Sequence, residues 1–202
     1  MRTICTVVLG VCAAIALNIG PWNSQAEPAA SASVPAAGAA FPARLVAAAR
    51  AQVDPAVVYA PEYVKIPYPN GDVPLSRGVC TDVVVRAYRA LGLDLQVAIH
   101  HAQIGSGDAN IDHRRVEVQR RFFAHFGQSL PVTLNTADYL AGDIVSYHLE
   151  GPFPTHIAIV SDRLAPSARP LVIHNRGQGV QEEDWLFAAK ITGHYRYELQ
   201  KQ

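Results

Sequence analysis

Asp143-Ile144-Val145-Ser146-Tyr147-His148-Leu149, Thr155-His156-Ile157-Ala158-Ile159-Val160-Ser161 and Pro170-Leu171-Val172-Ile173-His174-Asn175 follow one another along the chain. Each is a short run rich in β-branched and apolar residues, bounded by Gly, Pro or Asp, which is the pattern of a strand. Ile191 to Leu199 reads as a fourth. The links between them are short, so neighbouring strands run antiparallel. Upstream the period changes. Phe41 to Val53 carries Leu45, Val46 and Ala49 on one side, with Pro42 in a first turn and Asp54-Pro55 as its end. Cys80 to about Leu91 places Val83, Val84, Ala87, Tyr88 and Leu91 at helical spacing, stopped by Gly92. Ile111 to Phe126 reads as another central helix, with Val116, Phe122, Phe123 and Phe126 apolar and Gly127 at its end. Helices first and consecutive strands after them predict an α+β fold, an antiparallel sheet packed on N-terminal helices.

Two long connections interrupt the helices. Tyr59 to Val79 contains Pro69-Asn70-Gly71-Asp72 and reads as an ordered loop, and Gly105 to Asn110 as a second loop. The ends are different again. Residues 1–26 read as a secretion signal, with Arg2 as the n-region, an apolar stretch from Ile4 to Ile19 and Ser24-Gln25-Ala26 as cleavage site. Residues 27–40 are Ala/Ser/Pro-rich, too poor in large side chains to fold, and read as a linker. Residues 41–202 form one domain. The expected location is the periplasm or the exterior, with no integral membrane segment once the signal is removed. Of 17 basic and 17 acidic residues, only Arg2 lies in the signal, which leaves 16 against 17. That near-neutral balance gives no footprint for nucleic acid.

Cys5 and Cys12 lie within the signal, so Cys80 is the only cysteine of the mature chain. An oxidising compartment favours paired cysteines, and a solitary one there needs a reason. Cys80 opens a helix, where unpaired N–H groups favour a thiolate. Its competing role is a small core residue. A nucleophile needs a base and the base an orienting group. His156 opens one strand and His174 closes the next, and antiparallel pairing brings such ends together. Alternation allows either His174 or Asn175, not both, to face His156. His100, His101, His113 and Asp112 fit no standard zinc spacing, and neither metal nor cofactor is expected.

Gly78-Val79-Cys80-Thr81-Asp82, Gly142-Asp143-Ile144-Val145 and His156-Ile157-Ala158-Ile159-Val160 together resemble the NlpC-type cell-wall peptidases of the papain-like superfamily. Tyr68 to Pro74, Gly78 to Tyr88, Ile111 to Arg115 and Val172 to Asn175 resemble, more strongly, an uncharacterised exported bacterial family related to them. The resemblance spans about Phe41 to Tyr197. It implies a papain-like fold, Cys80 as nucleophile, His156 as base and His174 as orienter. Tyr68, twelve residues before Cys80, takes the place of a substrate-binding tyrosine. Thr81-Asp82 stands where those enzymes carry Ser-Gly, so the cleft and its substrate differ. Asp82 and Asn175 are placed at that cleft, and His113 with Arg114 (followed by Arg115) as a carboxylate-binding cluster for a peptide terminus or diamino acid. The implied activity is hydrolysis of an amide bond in a cell-wall peptide. Two other expectations stand beside it: a non-catalytic envelope module using the same cleft, and a thiol acyltransferase.

Overall fold

The computed structural model describes residues 40–198. The signal and linker expected at 1–39 lie outside the described residues. Helix α1 (Phe41–Arg50) starts with Pro42 in its first turn and buries Leu45, Val46 and Ala49. The loop after it contains β1 (Val58–Tyr59) and β2 (Arg77–Gly78), which pair in parallel. Helix α2 (Cys80–Ala90) follows and is buried along almost its whole length. Helix α3 (Leu95–His101) is capped by Asp94, whose side chain accepts from the Gln96 N–H.

The helix expected from Ile111 to Phe126 is two elements. Asp112–Arg114 is a single 3-10 turn, Arg115 is extended (φ −104°, ψ 126°), and α4 runs Val116–Phe126. The break has a cause in Asp112. Its carboxylate accepts from the N–H groups of Ser106 and Gly107 and from Ser106 Oγ, so it ties down the preceding loop instead of capping a continuous helix. Phe126, expected in the apolar set, is about half exposed at the end of α4.

The strands are β3 (Gln128–Ser129), β4 (Ile144–His148), β5 (Thr155–Leu164), β6 (Pro170–Asn175), β7 (Val180–Glu183) and β8 (Lys190–Arg196). They form one antiparallel sheet in the order β3-β8-β4-β5-β6-β7. The protein is therefore α+β, as the order of periods predicts, with β3 and β7 added to the four expected strands. Gly142 enters β4 at φ +85°, with Pro42 of α1 close enough that a Cβ would stand 3.0 Å from its backbone. Glycine is the residue that meets both demands.

The central strands bury both faces, which is why they read as continuous apolar runs. Ile157, Ile159 and Ile173 join the core made with α1, α2 and α4. Val145, Tyr147, Ala158, Val160 and Val172 point the other way, under Tyr139, Leu186 and the partly buried Trp185. This alternation decides where the histidines go. Among the described residues no helix is long and apolar enough to cross a membrane.

Candidate functional site

Cys80 is the first residue of α2 and is 2% exposed. The backbone N–H groups of Ile157 and Thr81 face its sulfur. The Tyr59 hydroxyl lies at the sulfur as well. Burial pushes the thiol up to about 12, with the nearby charge of Asp82 adding to the rise and the Ile157 N–H opposing it. Burial also raises Tyr59, reinforced by Cys80 and Asp82. At neutral pH the resting state is a neutral thiol.

His156 lies on the opposite face of the sheet from Cys80: Ile157, whose N–H faces the sulfur, joins the core with Cys80 and α2, and the neighbouring His156 side chain points to the other face. No hydrogen bond joins Cys80 to His156 among the described residues. His156 shares its face with Ala158, packed between Tyr147 and Trp185, with ring centroids at 5.9 and 5.5 Å. Its Nε2 is 2.7 Å from His174 Nδ1, and His174 Nε2 is 2.9 Å from Glu183 Oε1. Glu183 also accepts from Arg176 Nε at 2.9 Å.

The tautomers follow from the far end of this relay. A carboxylate only accepts, so His174 donates from Nε2 and presents a lone pair at Nδ1. His156 must then donate from Nε2, which leaves the lone pair on its Nδ1. Burial lowers both histidines, His156 further, and keeps them neutral. The bond from His174 holds the Glu183 carboxyl down at about 2. The relay therefore ends in a neutral imidazole with a free lone pair on Nδ1.

Asn175 points to the α2 face. Its Nδ2 donates to Gly78 O at 3.2 Å and its Oδ1 accepts from the Gly177 N–H at 3.0 Å. Of the two candidates, His174 contacts His156, and Asn175 holds the segment leading into Cys80. Glu183 and Trp185 were not anticipated. Glu183 lies on an edge strand of four residues whose pattern, Val-Gln-Glu-Glu, carries no sign of a buried partner.

Four expected site residues are placed differently. Tyr68 is 42% exposed and sits edge-on to His100 with ring centroids at 5.1 Å, and Tyr59 takes the place beside Cys80. The path of the long loop decides this, and spacing along the chain does not report that path. Asp82 is buried and spent on structure. It accepts from the Val79 N–H at 2.7 Å and from Arg114 Nε and Nη2 at 2.8 and 3.0 Å. Arg114 is correspondingly spent, its remaining donors going to the carbonyls of Ala60 and Glu62. His113 is buried under the same turn, and its carbonyl accepts from Gln119. The side chains of Asp82, Arg114 and His113 are therefore not available to substrate.

Burial lowers His113 to about 4. The unfolded chain binds that proton near 6.5 and the folded chain does not, so stability is full above pH 6.5 and falls as the pH drops toward 4. At about 1.4 kcal/mol per unit the loss from this one group is roughly 3 kcal/mol. Urea unfolding at pH 7, 5.5 and 4.5 should show it. In His113→Gln the slope with pH should be shallower. An equal slope in the two proteins would contradict the assignment.

Beside Cys80 opens a groove of about 340 Å³. Tyr59, Pro61, Ile111 and Phe153 give it apolar walls, and Thr155 and Arg115 add polar groups. Phe153 rests against Tyr59 at 6.3 Å between centroids.

Residues 46–197 match the family model described as "Domain of unknown function (DUF1287)". "Uncharacterized protein YijF" of Escherichia coli (strain K12) is 45% identical over 161 residues, covering 74% of this chain and 78% of that protein. No solved structure matches.

Proposed function

The chain belongs to the DUF1287 domain family, and from its site we propose that it is an exported thiol hydrolase of papain-like, NlpC-type architecture that cleaves an amide bond in a cell-wall peptide. One observation carries the reading. The Glu183–His174–His156 relay leaves a lone pair on His156 Nδ1 at the start of β5, and the next residue, Ile157, turns its N–H to Cys80, the only cysteine of residues 27–202, on the other face of the sheet.

The reaction uses these parts in order. Cys80 Sγ attacks the amide carbonyl as its proton passes to His156 Nδ1, forming the S–C bond. The Cys80 N–H at the start of α2 stabilises the oxyanion. His174 and Glu183 stabilise the imidazolium that has formed. His156 returns the proton to the leaving amine as the C–N bond breaks, and water then releases the acyl group by the same base. The thiol stays neutral until the proton moves, and in the resting structure the His156 ring packs with Tyr147 and Trp185 on the other face of the sheet, so this step requires the start of β5 to turn His156 toward the cleft when substrate binds.

A second reading rests on the same atoms. A thiol held at about 12 with no bond to His156 also suits a groove that binds a peptide without cleaving it. Alkylation by iodoacetamide separates the two. Under the hydrolase reading, purified wild type releases products from soluble cell-wall peptides, and those peptides slow alkylation of Cys80. Protection without any change in product mass, at every pH from 6 to 9, favours the binding module. An added amine appearing in the product mass would mark acyl transfer.

A further inference from the structure

The two adjacent arginines of the Asp112-His113-Arg114-Arg115 segment have separate fates. Arg114 is 2% exposed in its side chain and fully committed to Asp82. Arg115 is 53% exposed and lines the groove beside Cys80. The extended backbone at Arg115 produces the split. It ends the 3-10 turn, so successive side chains leave in opposite senses, one into the core and one to the cleft.

Arg115 has donors to spare. Its one ion pair is Asp112 Oδ1 at 3.9 Å, beyond hydrogen-bond range. Asp112 already accepts three bonds from Ser106 and Gly107. Asp108 lies within its field, but that carboxylate is exposed and engaged by Asn110 and Tyr63. The acid on the groove, Glu117, is held by Arg120 at 3.0 and 3.1 Å. The groove thus presents an available guanidinium among apolar walls, with its own acid neutralised.

We propose that Arg115 is the specificity residue of this cleft and receives a carboxylate of the ligand, so that the ligand is a peptide bearing a free carboxylate near the amide presented to Cys80. A guanidinium fork matches a carboxylate in two parallel bonds, and the apolar surroundings make that pair stronger than it is in open water. The proposal rests on reading the groove as the substrate cleft, but not on turnover.

The test is therefore a binding measurement on the full mature chain carrying Cys80→Ala. The probe is a random peptide library offered in two forms, one with free carboxyls and one with every carboxyl converted to the carboxamide. Retained peptides are identified by mass. We expect the free-carboxyl form to be enriched roughly ten-fold, the scale of one charge-assisted pair. Arg115→Gln should abolish the preference while leaving the thermal midpoint unchanged, because the side chain is exposed. Arg115→Lys, which keeps the charge and loses the fork, should retain only part of it. Equal retention of the two forms, retention of neither, or a preference that survives Arg115→Gln overturns the assignment. Equal turnover of carboxamide and free peptides by the wild-type chain would leave the hydrolase reading standing and remove this one. A carboxylate preference in Cys80→Ala with no turnover by the wild-type chain would do the reverse.

Discussion

Under the hydrolase reading, Cys80→Ala will reduce release of amine from cell-wall peptides to the uncatalysed rate, and His156→Ala will lower it by about 10²–10⁴, the usual contribution of a positioned base. The two should not add. Once the sulfur is gone the base has nothing to deprotonate, so the double variant should match Cys80→Ala alone. His174→Ala will cost less than His156→Ala. It removes the group that fixes the tautomer but leaves the base in place. Glu183→Gln will cost less again, because Gln can still accept from His174 Nε2, although it no longer balances a charge on the ring. The ordering Cys80, His156, His174, Glu183 is the signature of a relay, measured as kcat/KM on one peptide. Equal rates in wild type and His156→Ala would end the hydrolase reading.

The resting protonation state adds a pH profile. In a thiolate–imidazolium pair the rate is bounded by the loss of the imidazolium proton. Here both partners start neutral: burial holds the thiol at about 12 and the histidines below their ordinary value. The acid limb, where His156 picks up a proton, therefore lies below pH 6.5. No fall is expected between pH 7 and 9. The same state makes Cys80 slow toward iodoacetamide without substrate, with a rate that climbs through pH 9, because the thiolate is the reactive form.

The strands and helices were legible because their periods were. Runs bounded by Gly and Pro gave β4, β5 and β6, and the apolar spacing gave α1 and α2. Helix α3 was missed because seven residues supply less than two full turns of pattern. The break at Arg115 carries no Gly or Pro. It comes from Asp112 binding a loop, a tertiary contact invisible in a local window. The site divided the same way. Cys80, His156 and His174 lie at element ends, which sequence locates well. Which face a residue of β6 takes was not legible, because both faces of that strand are buried and hydrophobicity does not distinguish them. Tyr59 replaced Tyr68, and Asp82 left the cleft for the core, because the long loop between β1 and β2 folds back over the start of α2. Arg114 is the link that fixes it there, through Ala60 O and Glu62 O.

That link gives the largest stability effect expected in the protein. Asp82→Ala will cost about 3–5 kcal/mol, the penalty for stranding a buried guanidinium. Arg114 would keep its positive charge at 2% exposure, and the Val79 N–H would lose its acceptor at the start of α2. Asp82→Leu with Arg114→Met should recover much of the loss, since removing both charges also removes the cost of burying them. Recovery should be incomplete, because Ala60 O, Glu62 O and the Val79 N–H still need partners. Urea unfolding of the four proteins in the cycle measures this, and a loss under 1 kcal/mol in the single variant would show that the pair is not buried as described. The same substitution should move the thiol in the opposite direction. The charge of Asp82 is among the causes that hold Cys80 up. Its removal will therefore bring the thiol down from about 12 and speed alkylation in whatever fraction remains folded. A less stable protein with a more reactive cysteine is the expected pair of results. Asp82 thus fixes the loop and the helix start that shape the groove, and its charge helps hold the Cys80 thiol in its protonated form.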